Sequence, residues 1–232
     1  MREKSDINKI LEGRCRGQGS EYVGFKKANE SHSIGTATQI YDPVTDRVVD
    51  VLSMGEMYFF WLKRFEEGVL EIKEQVIMIP DIVAKVAHEN GLNIPNRILT
   101  TDFLVLYDDG TLKAYSIKSN RKNFDKETCT DERVWKRNIR RQILEKKYWE
   151  SLGVEWELVF SEDMNYKKAV NIRSVMQCYD KENVSTPDHM YRYLIAHKHI
   201  VVDLDDYIRF AEIANAHEPE IKKLYEEVTN DK

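Results

Sequence analysis

The segment Thr101-Asp-Phe-Leu-Val-Leu-Tyr-Asp-Asp-Gly-Thr-Leu-Lys-Ala-Tyr-Ser-Ile-Lys118 constrains this chain more than any other. Two runs rich in apolar, aromatic and β-branched residues flank Asp109-Gly110. That dipeptide suits a tight hairpin turn, whose central residues take positive φ. The pattern predicts an antiparallel hairpin with residues near 102 across from residues near 117. Strand side chains alternate, so Ser116 and Lys118 share one face.

A carboxylate, Asp102, and an ammonium, Lys118, then meet at one end of the strand pair. Phosphodiester hydrolysis can use such a pair. The carboxylate can hold Mg²⁺, which takes oxygen ligands in octahedral geometry. The ion polarises a phosphate and lowers the pKa of bound water. The lysine can orient that water or stabilise developing charge. Spacing alone favours a plainer reading, a cross-strand salt bridge worth ~0–1 kcal/mol.

Other elements flank the hairpin. Arg47 to Leu52 reads as a strand. Ser53-Met-Gly-Glu56 reads as a capping box opening a helix to about Glu66, with Met57, Phe60, Trp61 and Phe65 on an apolar surface. Val69 to Ile79 reads as a strand stopped by Pro80, and Asp81 to Asn90 as a helix closed by Gly91. A long helix is predicted from about Glu132 to Leu152, then a strand from Trp156 to Ser161. Beyond that come helices at Asn165–Tyr179, after Ser185-Thr-Pro-Asp, at Asp205–Asn215 and at Pro219–Val228, with a short strand at His199–Asp203. Glu56 has a ready structural role in its capping box, and Glu145 one in i,i+4 pairing with its basic neighbours.

The 232 residues suffice for one domain of medium size and a small second one, and 42% hydrophobic residues allow a packed core. No apolar run approaches the ~20 residues of a membrane helix. The first residues lack the apolar stretch of a signal peptide. Cys15, Cys129 and Cys178 fit neither a disulfide framework nor a zinc site, so a reducing cytoplasm is the expected setting. The net charge of -5 is not the footprint of a protein that binds DNA strongly alone. Its distribution is uneven: residues 118–147 hold eleven Lys and Arg against five Asp and Glu, and residues 201–232 hold four against nine. This suggests one nucleic-acid face and one protein-facing region, and fits equally two ordinary solvated helix faces. Candidate DNA contacts are Arg14 and Arg16 in the glycine-rich loop Glu12-Gly-Arg-Cys-Arg-Gly-Gln-Gly19, and Arg121, Lys122, Arg140 and Arg141 in the basic run. That loop lacks the Gly-Lys-Ser/Thr ending of a phosphate-binding loop. His189, His197 and His199 lack a convincing partner for a metal site.

Six blocks stand in the order of one known family. They are Glu12 to Gly19, Ser53-Met-Gly-Glu56, Val69-Leu-Glu-Ile-Lys-Glu-Gln75, Thr101-Asp-Phe-Leu-Val105, Ser116-Ile-Lys118 and Glu145-Lys-Lys-Tyr-Trp149. Across about residues 10 to 165 the chain resembles the TnsA family, endonuclease subunits of the heteromeric transposase of Tn-seven-like transposons. The resemblance implies an α/β, restriction-endonuclease-like domain related to the PD-(D/E)xK nucleases, assigned to residues 1–164. Residues 165–232 would form a small, mainly α domain, open to a winged-helix arrangement. It implies cleavage at the 5′ ends of the transposon with Mg²⁺, one ion or two, and Mn²⁺ as a substitute. It implies three partners: transposon-end DNA, a DDE transposase of TnsB type, and an AAA+ ATPase regulator of TnsC type contacting the C-terminal region. Cytoplasmic location, at the nucleoid during transposition, follows from the same likeness.

By motif position, Glu56, Asp102 and Lys118 match the family's catalytic residues. Asp102 would be the central metal ligand, Glu56 a second acidic residue at the metal and Lys118 an activating, base-like lysine. Glu66 and Glu145 occupy supporting acidic positions, and Glu145 is a further candidate ligand. One departure is Ser116, where the general pattern has a carboxylate two residues before the lysine. Its neutral oxygen is a candidate ligand, and the loss of a charge bears on how many metals bind. Two alternatives stay open: a restriction or junction nuclease of the same fold, and a catalytically weak subunit bridging transposase and regulator.

Overall fold

The computed structural model describes residues 5–30 and 36–230. Two compact units result, one built from residues up to 60 together with 66–164, the other from 61–65 together with 165 onward. In the first unit a short helix, α1 (Asp6–Leu11), precedes the two-stranded antiparallel pair β1 (Thr38–Asp42) and β2 (Arg47–Val51). Helix α2 (Met54–Arg64) follows, then β3 (Val69–Ile77), α3 (Pro80–Glu89), β4 (Thr100–Tyr107), β5 (Leu112–Lys118), α4 (Glu132–Ser151) and β6 (Glu155–Phe160). The strands β3-β4-β5-β6 form one sheet in that order. It is antiparallel except for the parallel β5–β6 pair, which α4 connects.

Alternation along the strands sends residues to two cores. Ala114 and Leu104 pack with Met78, Val83, Val86, Leu144, Tyr148 and Trp149 beneath α3 and α4. Phe103 and Tyr115 turn the other way and meet Phe59 of α2, with ring centroids 5.1 and 4.9 Å apart. The sheet is therefore covered on both faces, the arrangement of a mixed α/β domain. The hairpin β1–β2 is tied to β3 by a buried pair: Arg47 donates from Nη1 and Nη2 to Glu74 at 3.0 and 2.7 Å. β1 lies in a stretch the sequence leaves without an element.

The second unit contains α5 (Tyr166–Met176), α6 (Pro187–Ala196), α7 (Phe210–Ala216) and α8 (Glu218–Asn230), packed on Ile172, Val175, Leu194, Ile195, Phe210, Ala214 and Ile221. Two expectations are corrected here. Residues 199–203 form no strand. The segment finds no ladder partner, and the Asn171 amide fixes the chain just beyond it by donating to the Leu204 and Asp206 carbonyls at 2.9 and 2.7 Å. With no strand among the described residues of this unit, a winged-helix arrangement has no wing, and helices are joined there by irregular segments. No helix of the described residues is long and apolar enough to cross a membrane.

Candidate active site

The hairpin register differs slightly from the expected one. The β4–β5 ladder runs from Leu106–Leu112 to Phe103–Tyr115 and stops. Asp102 lies just past the last pair. Its Oδ2 accepts the Ile117 N–H at 2.7 Å and the Lys118 ammonium at 2.9 Å. The carboxylate thus sits where the two strands part. Lys118 also donates to its neighbouring carbonyl, Ile117, at 2.8 Å. Burial pushes the Lys118 ammonium down, but Asp102 beside it, helped by Glu145 and Glu56, leaves it raised. Lys118 is therefore held as a cation beside Asp102.

Glu56 stands in the first turn of α2. Its own N–H is capped by Ser53 Oγ at 3.2 Å, as the capping box predicts. Its carboxylate goes elsewhere than that motif would send it: Oε2 accepts the Leu52 N–H at 2.9 Å and lies 3.4 Å from Gln75 Nε2. Burial, with the Asp102 charge nearby, pushes the Glu56 carboxyl up to about 8.

Glu145 faces inward from α4. Its Oε1 accepts from Thr101 Oγ1 at 2.8 Å and from Ser116 Oγ at 2.5 Å, and Oε2 lies 3.5 Å from Arg141 Nη2. Trp149 Nε1 donates to Thr101 Oγ1 at 2.7 Å and fixes that hydroxyl. Glu145 is thus a buried acceptor, not the solvent-facing partner its helix position suggests. Burial raises its carboxyl. Ser116, the candidate ligand two residues before Lys118, is buried, and its hydroxyl donates to Glu145.

Asp102, Lys118 and Glu145 line one cavity of about 420 Å³. Lys26, Arg97, Arg137, Arg141 and Gln142 line it too. Two atoms there are buried without a hydrogen bond, Arg141 Nη1 and Gln142 Oε1. A sealed donor and a sealed acceptor without partners are costly. Lys26 comes from the loop after Phe25. Burial pulls its ammonium below the usual lysine value against the opposing pull of Asp102. The sequence offered no sign of Lys26 or Gln142. Gln75 was also missed. It is a buried, non-glycine residue at φ 50°, an uncommon backbone state for its type. The kink turns its carbonyl to the Phe25 N–H at 3.1 Å, while its amide reaches Glu56. Such a residue persists only where its surroundings hold it.

The candidate DNA contacts divide. Arg14 is corrected: it is buried, bonding Glu30, Glu12 and the Phe25 carbonyl, and it braces the loop instead of meeting a phosphate. Arg16, Lys122 and Arg140 are exposed. Arg121 is exposed but paired with Asp163 and stacked on Phe160. Arg141 alone of this set lines the cavity, and it donates to the Thr100 carbonyl at 2.8 Å. Glu66 stands apart from that lining, 3.3 Å from the Tyr107 hydroxyl. Of the histidines, His197 Nε2 lies 2.8 Å from the Tyr179 carbonyl.

The donors suit a hard cation. They are carboxylate oxygens, and Asp102 Oδ1 has no hydrogen bond among the described residues. The mutual repulsion of Asp102 and Glu56 is the kind a cation relieves. Among the described residues no three His, Cys, Asp or Glu side chains converge as a ready-made set. A bound ion would complete its shell with water and substrate oxygen, as Mg²⁺ commonly does.

Known proteins share the part of the chain that builds this geometry. The model described as TnsA-like endonuclease N terminal matches residues 66–162, which contain Asp102, Ser116, Lys118 and Glu145. The Tn7 transposition protein TnsA of Escherichia coli is 28% identical over 162 residues, covering 68% of this chain. The match spans 56% of that relative, so the shared part is a little over half its length. Residues 66–162 of the first unit thus match a TnsA-like endonuclease domain, of restriction-endonuclease-like fold, and the chain is similar to TnsA over about two thirds of its length.

Proposed function

We propose that the chain is the endonuclease subunit of a Tn-seven-like transposase, hydrolysing phosphodiesters at the 5′ ends of the transposon with Mg²⁺. The observation that carries this is the Asp102–Lys118 pair at 2.9 Å, opening into a cavity also lined by Glu145, within a TnsA-like endonuclease domain. Asp102, with its free Oδ1, and Glu56 would hold the ion. When bound, Mg²⁺ would supply a polarised phosphate and a water of lowered pKa. Lys118 is kept charged by Asp102 and would stabilise negative charge gathering on the phosphate oxygens. Glu145 positions rather than reacts: it fixes Ser116 and Thr101 at the ends of β5 and β4. Ser116 leaves the strand position before Lys118 uncharged, which favours a single tightly held ion.

The charge of the chain is too low to hold DNA strongly unaided, so partners belong to the proposal. These are a DDE transposase of TnsB type cutting the 3′ ends and an AAA+ regulator of TnsC type meeting the acidic helical unit. The test combines the chain with its partner transposase, transposon-end DNA and Mg²⁺, and maps cuts on the 5′ strand. Asp102→Ala should abolish them, and Lys118→Ala should slow them by about 10²–10³-fold, the usual effect of losing one charge-stabilising group. Unchanged cutting in both variants overturns the centre. Cutting of unrelated DNA without a partner favours a free-standing nuclease instead.

A further inference from the structure

Six cationic side chains line the cavity, and three have an acidic partner. Lys118 is paired with Asp102 at 2.9 Å, Arg141 lies 3.5 Å from Glu145, and Lys9 lies 3.9 Å from Asp6. Arg97 and Arg137 are exposed at the rim. Lys26 is different: it is half-buried and makes no ion pair or hydrogen bond among the described residues.

Its backbone is nevertheless pinned on both sides. Phe25 is buried, donates its N–H to the Gln75 carbonyl at 3.1 Å and accepts from Arg14 at 2.9 Å. Two residues beyond Lys26, the Ala28 N–H is held by Asp50 at 2.9 Å. Gly24 lies so close to β3 that an added Cβ would meet Glu74 Cγ and its carbonyl oxygen at 3.0 Å. The held backbone limits where the Lys26 side chain can reach, and a partly desolvated ammonium with no partner is poised for a ligand. The three carboxylates of the lining, Asp6, Asp102 and Glu145, each already face a cation, so the missing partner is an anion.

We propose that Lys26 is a further substrate-binding residue of this centre, seating an oxygen of the cleaved DNA phosphodiester, a role that rests on the nuclease reading above. The segment of residues 24–28, outside the sheet, thereby contributes to the site, and the Gln75 kink links it to Glu56.

The assay is the reconstituted complex with partner transposase and transposon-end DNA, comparing wild type, Lys26→Met and Lys26→Arg. With Ca²⁺ replacing Mg²⁺, DNA affinity is measured against salt. Loss of one phosphate contact should reduce the log–log slope by about 0.9 in Lys26→Met. With Mg²⁺, 5′ cutting by Lys26→Met should need at least tenfold more DNA for half-saturation, and Lys26→Arg should recover most of it. Thermal melting shows that the variant is folded. A folded Lys26→Met with the wild-type slope and wild-type cutting overturns the proposal and leaves the nuclease reading intact. If wild type leaves the 5′ strand uncut while the partner cuts the 3′ strand, the nuclease reading falls and the proposed seat for a cleaved phosphate falls with it.

Discussion

Burial resists the charge on Glu56, and the neighbouring Asp102 carboxylate resists it further. The consequence is a pH dependence of defined sign. The folded value, about 8, lies above the ordinary 4.5. Between those values the folded chain keeps a proton that the unfolded chain has released. The contribution to stability is therefore complete below about 4.5 and is lost as pH rises through about 8. Glu145 is shifted in the same direction by its own burial. In chelator, the Tm should fall as pH is raised across this interval. Glu56→Gln should shrink that slope without removing it, because Glu145 remains. Mg²⁺ favours the ionised carboxylates and should raise the Tm more at the upper end than at the lower. A wild-type slope in Glu56→Gln would show that this carboxyl is not the titrating group. The pair Asp102–Lys118 gives a second lesson at this scale. From spacing it reads as a salt bridge, and a salt bridge at 2.9 Å is what forms. The cavity beside it, which no spacing reveals, makes it also a candidate reacting pair.

Glu56 is aimed by an element, and the element is seated by a glycine. A Cβ on Gly55 would stand 2.8 Å from Ser161 Cβ and 3.4 Å from Ile117 Cγ2. Ser161 Cβ cannot rotate out of the way, so Gly55→Ala must push the start of α2 off the end of β6. Such overpacking costs about 1–3 kcal/mol. The expected outcome is a lower denaturation midpoint together with impaired 5′ cutting, since Glu56 moves with the helix turn. Unchanged cutting would mean that Glu56 tolerates the displacement. How much of this was legible follows from range. The hairpin turn, the capping box, α3, α4 and β6 are written in local pattern, and the sequence places them within a few residues. Residues 199–203 mislead because Ile200-Val201-Val202 has strand propensity but no strand to pair with. Lys26, Gln75 and Gln142 carry no local signal at all. Their positions depend on contacts such as Phe25 to Gln75 and Arg14 to Glu30, which join segments far apart in sequence. Arg14 and Ser116 are legible as residue types but not as partners: Arg14 becomes a buried brace, and the Ser116 hydroxyl donates to Glu145.

Charge along the whole chain is divided as the sequence suggests, with Arg137 and Arg141 of the basic run on the cavity and the acidic stretch in the helical unit. The division of structure is less simple than a cut after residue 164. Residues 61–65, the end of α2 and the residue after it, belong with the helical unit. The Phe65 carbonyl accepts from Lys198 at 2.9 Å, and the same ammonium lies 3.0 Å from the centre of the Phe65 ring. Trp61 is 4% exposed. A fragment ending at residue 164 would keep this stretch and lose what it packs with. Large apolar side chains returned to water cost about 1.5–3 kcal/mol each. At about 2–4 °C per kcal/mol for a chain of this size, the fragment should melt several degrees below the full chain. It should also bind a dye for exposed apolar surface where the full chain does not. Substituting Trp61 and Phe65 with polar residues in the fragment should reduce that dye binding. A fragment with the melting point of the full chain and no dye binding would place residues 61–65 with the nuclease unit after all.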